Sequence, residues 1–129
     1  MEDITLSERR AIGAKIRKEV LGASHTAGNA DPHLFDTVFR EYTEDVCWGN
    51  VWNREGLTRA TRSMLNLAML TALNKPHELA LHVRGALTNG VTREEIKEVF
   101  LQACIYCGIP AGLEAFRTAV EVFREVDKK

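Results

Sequence analysis

The stretch "TREEIKEVFLQACIYCGIPAGLEAFRTAV", residues 92 to 120, constrains the fold more than any other part of the chain. Thr92 followed by Glu95 is a capping box, in which a threonine hydroxyl and a glutamate carboxylate satisfy the free N–H groups of a helix start. Ile96, Phe100, Ala103 and Cys107 then recur at helical spacing, Gly108 stops the helix, and Pro110 suits the first turn of another. Ala115, Ala119, Val122 and Val126 carry that second stripe onward. Two helices back to back leave no room for a strand here.

The same periodicity runs through the rest of the chain. Ser7 is positioned to cap a helix reaching about Leu21, with Ile12, Ile16 and Val20 four residues apart. "GASHTAGNADP" is rich in turn formers and reads as a loop. Asp31-Pro32 then suits the start of a helix striped by Leu34, Phe35, Val38, Phe39 and Tyr42. "CWGNVWNREGL" is irregular, with two glycines. Thr58 is positioned to cap a helix through Leu73 that is apolar almost all round, the mark of a central helix. Asn74 ends it, Pro76 opens another through Thr88, and Asn89-Gly90 stops that one. The expectation is an all-α fold of about six helices, one domain over residues 1–129, with part of the apolar surface buried between subunits.

Charge and composition exclude several functions. The net charge of -1 offers no footprint for nucleic acid or an anionic membrane. No apolar run approaches the roughly 18 residues that span a bilayer, and "MEDITLSERR" has no signal-peptide core. A cytoplasmic protein is expected. The odd count of three cysteines suits a reducing compartment, and no fourth ligand in regular spacing suggests zinc.

Four constellations carry chemistry. Cys104 and Cys107 have the Cys-x-x-Cys spacing of thiol redox centres, but they end a helix, where the dipole disfavours a thiolate. Packing on or beside the core face is expected for both, with a catalytic disulfide as the alternative. His82 points with the apolar face of its helix, and Glu78 lies one turn upstream. It is either a satisfied core histidine or, with that carboxylate, a proton donor and acceptor. Arg59 and Arg62 stand at helical spacing on an otherwise apolar helix, where an inward guanidinium requires a carboxylate, while Arg84 turns to another face. Trp48 and Trp52 are either a core plug or a pocket wall. His25, His33 and His77 are expected at the surface.

These residues also resemble a family. "WGNVWNREGL", "TRSMLNLAMLTALNKPHELALHVRGALTNGVTREEIKEV", "IYCGIPAG" and "AVEVF" are together similar to the γ-carboxymuconolactone decarboxylases, within the alkylhydroperoxidase D-like superfamily. The resemblance implies a helical subunit in a ring-like homo-oligomer, a trimer or a hexamer built from dimers. It implies cofactor-free decarboxylation of γ-carboxymuconolactone, in the protocatechuate branch of aromatic degradation, to the enol-lactone of β-ketoadipate. The superfamily's peroxidases place their redox cysteines at positions matching Lys75 and Glu78, four residues before the histidine matching His82, and use a glutamate from the preceding helix. Residues 58–73 hold no acidic side chain, so both departures count against a peroxidase. Cys107 belongs to the decarboxylase-like pattern, whereas Cys104 stands where a small residue is expected.

The unsaturated lactone is its own electron sink, so the protein has only to hold carboxylates, stabilise a dienolate and deliver a proton. The expected roles are His82 as general acid/base tuned by Glu78, Arg62, Arg59 and Arg84 as carboxylate binders, and Trp48 and Trp52 as pocket wall. A thiol peroxidase using Cys104 and Cys107, and a non-catalytic helical binding oligomer, are the rival readings.

Overall fold

Thr5, not Ser7, caps the first helix in the computed structural model, which describes residues 5–22 and 36–128. Glu8 N donates to Thr5 Oγ1 at 3.2 Å, and Thr5 N donates to Glu8 Oε2 at 2.7 Å, a reciprocal box that also draws the exposed Glu8 carboxyl below its ordinary pKa. Ser7 falls inside the first turn because its i+3 residue is Arg10, which cannot return the bond. The chain divides into two compact units, Met1–Thr58 and Arg59–Lys129.

The first unit holds α1 (Leu6–Leu21), α2 (Asp36–Tyr42) and a π-helical continuation of α2 over Thr43–Val51. The first five residues of the stretch read as irregular, 47–51, are therefore π-helical, ending with Trp52 N donating to Cys47 O at 2.9 Å, while 52–57 are turns and a bend, as read. α1 buries Ile16, Val20 and Leu21 against Trp48 and Trp52. Gly13 and Gly49 permit this approach: a Cβ on Gly13 would collide with the Glu44 carbonyl, and one on Gly49 would lie 2.5 Å from the Arg9 carbonyl. Arg9 pairs with Asp45 at 3.2 Å and Arg10 with Glu41 at 3.3 Å along the seam. Val38, Phe39 and Tyr42 of the expected stripe are exposed. Its other members, Leu34 and Phe35, and the expected loop and Asp31-Pro32 start fall outside the described residues, apart from Gly22, as do His25 and His33.

The second unit is built from α3 (Arg59–Ala72), α4 (Pro76–Thr88), α5 (Arg93–Cys107) and α6 (Ile109–Asp127). Backbone punctuation works as the sequence suggests, with Asn74, Gly90 and Gly108 all at positive φ between consecutive helices. Thr92 and Glu95 form their capping box, and Pro76 and Pro110 occupy first turns. Leu67, Leu79, Val83, Ala86, Ile96, Phe100, Ala115, Ala119 and Val122 make one core, in which Phe100 meets Phe116 edge-on at 5.7 Å. At the far end of the α5–α6 hairpin, Arg93 holds Asp127 through two bonds of 2.6 and 3.2 Å and lies over the Phe123 ring at 4.5 Å.

All described regular structure is helical, with six α-helices and no strand, so the fold is all-α. Three details differ from expectation. α3 buries only the stripe Ser63, Leu67 and Thr71, and Leu65, Met69 and Leu73 face outward. Cys107 and Val126 are exposed; on α5 the core face ends at Ala103, one turn before Cys107. Cys104, read as oversized for its position, fits because Gly112 of α6 faces it, where a Cβ would strike its Sγ. No helix among the described residues is long and apolar enough to cross a membrane.

Candidate active site

The candidate residues of the second unit separate by helix flank. On α3 the buried stripe Ser63, Leu67 and Thr71 has Arg59, Arg62 and Asn66 along one side, and Thr61, Leu65 and Ala68 along the other. On α4 the buried Leu79, Val83 and Ala86 have Glu78 and His82 on one side and Arg84 on the other. Antiparallel packing of α3 and α4 brings the first flank of each together. Asn66 Nδ2 lies 3.4 Å from His82 Nδ1. One turn along α3 from Asn66 is Arg62, half-buried, with its Nε shielded from solvent. Arg59, also half-buried, starts the helix. The result is an imidazole anchored beside a helix flank that carries two guanidinium groups, which suits recognition of a carboxylate and handling of a proton.

Other candidates are placed differently. Arg84 makes an ion pair with Glu125 of α6, so a carboxylate of the protein already occupies the arginine read as a substrate binder. Glu78 is exposed in the first turn of α4, where a negative charge also suits the helix dipole. His77 is exposed, as expected. Trp48 and Trp52 belong to the core of the first unit, each 6% exposed, with ring centroids 5.1 Å apart. Cys47 beside them has its thiol pKa raised by burial, opposed by a hydrogen bond with Trp52.

The thiols Cys47, Cys104 and Cys107 are free. Cys104 is half-buried against Gly112 and Cys107 is exposed. Cys107 lines an open apolar groove of about 680 Å³ between α3 and α5, with Met64, Leu65, Ala68, Val99 and Tyr106. His82, Arg59 and Arg62 do not line it, and Glu94, Glu95 and Glu98 along its rim are the wrong charge for an anionic substrate. Among the described residues, no three His, Cys, Asp or Glu side chains cluster as metal ligands.

Asn66 is the residue that sequence reading missed. Its signal was an amide between Leu65 and Leu67 on a helix otherwise rich in leucine and alanine, four residues after Arg62. An apolar helix that retains an amide usually gives it a hydrogen-bond partner, and the partner here is on the next helix.

Known proteins that this chain is similar to include decarboxylases. The profile of the carboxymuconolactone decarboxylase family matches residues 38–121. The 4-carboxymuconolactone decarboxylase of Acinetobacter baylyi is 38% identical over 120 residues, covering 92% of this chain and 90% of that protein. The nitrosuccinic acid decarboxylase of Metarhizium robertsii is 41% identical over 120 residues, covering 90% of this chain and 82% of that protein.

Proposed function

Because the chain belongs to the carboxymuconolactone decarboxylase family and is a carboxy-lyase, we propose that it decarboxylates 4-carboxymuconolactone or a closely related small dicarboxylate. 4-Carboxymuconolactone and nitrosuccinic acid, the compounds in the two relatives' names, are both dicarboxylates with a built-in electron sink. The sink is an unsaturated lactone in one and a nitro group in the other. The single observation carrying the reading is His82 anchored on the flank of α3 that bears Arg59 and Arg62.

The chemistry follows from those groups. The bond to the departing carboxylate breaks, releasing carbon dioxide, and its electron pair moves through the ring double bond onto the lactone carbonyl oxygen. One proton, drawn from solvent by way of His82, is added at the ring carbon next to the carbonyl, giving the enol-lactone. Arg62 and Arg59 hold carboxylate oxygens, since a planar guanidinium matches them in two-point contact. His82 offers its N–H to the oxygen where charge collects, and a positioned acid or base contributes about 10²–10⁴-fold. Glu78 tunes the imidazole from one turn upstream. Arg84 is engaged by Glu125, so binding a substrate carboxylate would cost it that ion pair.

The exposed Leu65 and Met69 on α3 and Leu73 just after it, with Ile105, Tyr106 and Ile109 at the α5–α6 corner, support a working homo-oligomer. The family profile runs through the boundary between the two units, which supports one functional domain. The test is direct measurement of carbon dioxide release from 4-carboxymuconolactone and from nitrosuccinate, with native mass measured in parallel. His82→Gln is expected to lose at least about 10²-fold in kcat without a change in assembly. Absence of turnover on both compounds refutes the substrate class. Full activity of His82→Gln removes His82 from the mechanism.

A further inference from the structure

The contact between Asn66 and His82 has a direction. An amide nitrogen carries two hydrogens and no free lone pair, so Asn66 Nδ2 can only donate. The ring atom facing it is Nδ1, at 3.4 Å. For this to be a hydrogen bond, Nδ1 must present its lone pair, and the ring hydrogen must sit on Nε2. Free neutral imidazole has no such constraint.

We propose that Asn66 is a positioning residue that holds His82 as the neutral Nε2–H tautomer, leaving the end of the ring remote from α3 as a hydrogen-bond donor. This rests on the reading of His82 given above and specifies it. In that tautomer the ring can donate to the oxygen on which the electron pair arrives, and a preorganised donor stabilises charge as it develops. The opposite tautomer would present a lone pair to that oxygen and repel it. The contact is long for a hydrogen bond, and catalytic contacts commonly tighten when substrate binds. Asn66 suits this task better than an acid would. A carboxylate at this position only accepts, and would reverse the ring.

The test needs no assumption about substrate. Long-range proton–nitrogen correlation spectra of the 15N-labelled chain report which nitrogen of each neutral histidine carries hydrogen. The His82 signals are identified by their loss in His82→Gln. The wild type is expected to show His82 as Nε2–H with Nδ1 bare. Asn66→Asp keeps the shape but reverses the polarity, and is expected to move the hydrogen to Nδ1. On a substrate that the chain turns over, its kcat should fall by about 10²-fold while KM changes less than about threefold, since the lower range for one positioned acid or base is being lost. Nδ1–H or a tautomer mixture in the wild type overturns the proposal, as does an unchanged tautomer in Asn66→Asp. If no decarboxylation is found but the wild type shows Nε2–H and Asn66→Asp reverses it, the positioning holds and only the substrate assignment fails.

Discussion

Replacing Gly49 with alanine adds one carbon where α1 and the π-helical segment come closest. That carbon would lie 2.5 Å from the Arg9 carbonyl oxygen, 2.6 Å from that of Glu44 and 2.8 Å from Arg9 Cγ. Ordinary contact for a Cβ begins at 3.4 Å, so the nearest atom is 0.9 Å too close. The two oxygens are backbone and cannot rotate away, so a helix has to withdraw. A gap approaching 1 Å forfeits a quarter to a half of the dispersion attraction across it, here along Ile16, Val20 and the two tryptophans. Overpacking of this kind costs about 1–3 kcal/mol. The helix-propensity gain of alanine over glycine returns about 0.5–1 kcal/mol, leaving a net loss within about 0–2.5 kcal/mol and centred on about 1.3 kcal/mol. For a chain of this length that lowers Tm by about 3–10 °C. Gly56→Ala is the control, because nothing lies within 4 Å of its added carbon. Both tryptophans of the chain sit in this core, so urea unfolding followed by tryptophan fluorescence reads the effect where it occurs. A Gly49→Ala variant as stable as wild type, with Gly56→Ala unchanged, would refute the close approach of the two helices.

Two further outcomes follow from side chains described above. Arg93 holds the Asp127 carboxyl below the ordinary aspartate value of 3.8. A depressed folded pKa means the stabilisation is complete above the unfolded value and is lost as pH falls through the folded one. The Tm difference between wild type and Asp127→Asn should therefore be constant near neutrality and vanish only in acid below about 3.8; a difference already gone at pH 6 would count against the clasp. Iodoacetamide should label exposed Cys107 first, then half-buried Cys104 and Cys47. Cys104→Ala with Cys107→Ser should retain carbon dioxide release, and its loss would return the thiols to the mechanism.

Local chemistry made much of this fold legible in sequence. The capping box at Thr92, the glycine stop at Gly108 and the proline at residue 110 act within one turn of chain, so reading a few residues is enough. The same rule explains the error at Ser7: Thr5 has Glu8 three residues on, and the reciprocal bond, not the hydroxyl alone, decides the cap. The π-helical turn was illegible because what packs there is remote in sequence: Gly49 comes against the backbone of Arg9 on α1. Asn66 was missed for a similar reason. Its meaning depends on His82, sixteen residues away on another helix. Arg84 and Cys107 show the limit of helical-wheel reasoning, which gives a residue's direction but not that Glu125 waits there or that the core has already ended.

The α5–α6 hairpin is fastened at both ends, by the single residue Gly108 at its turn and by Arg93, Asp127 and Phe123 at its mouth. A helix terminus ordinarily frays on its own, but here the last turn of α6 cannot open without giving up its bonds to Arg93 in the first turn of α5, thirty-four residues earlier. The two ends should therefore share one opening equilibrium. In hydrogen exchange, the amides of the last turn of α6 and those just inside the start of α5 should lose protection together, and cutting the pin with Asp127→Asn should free both at once.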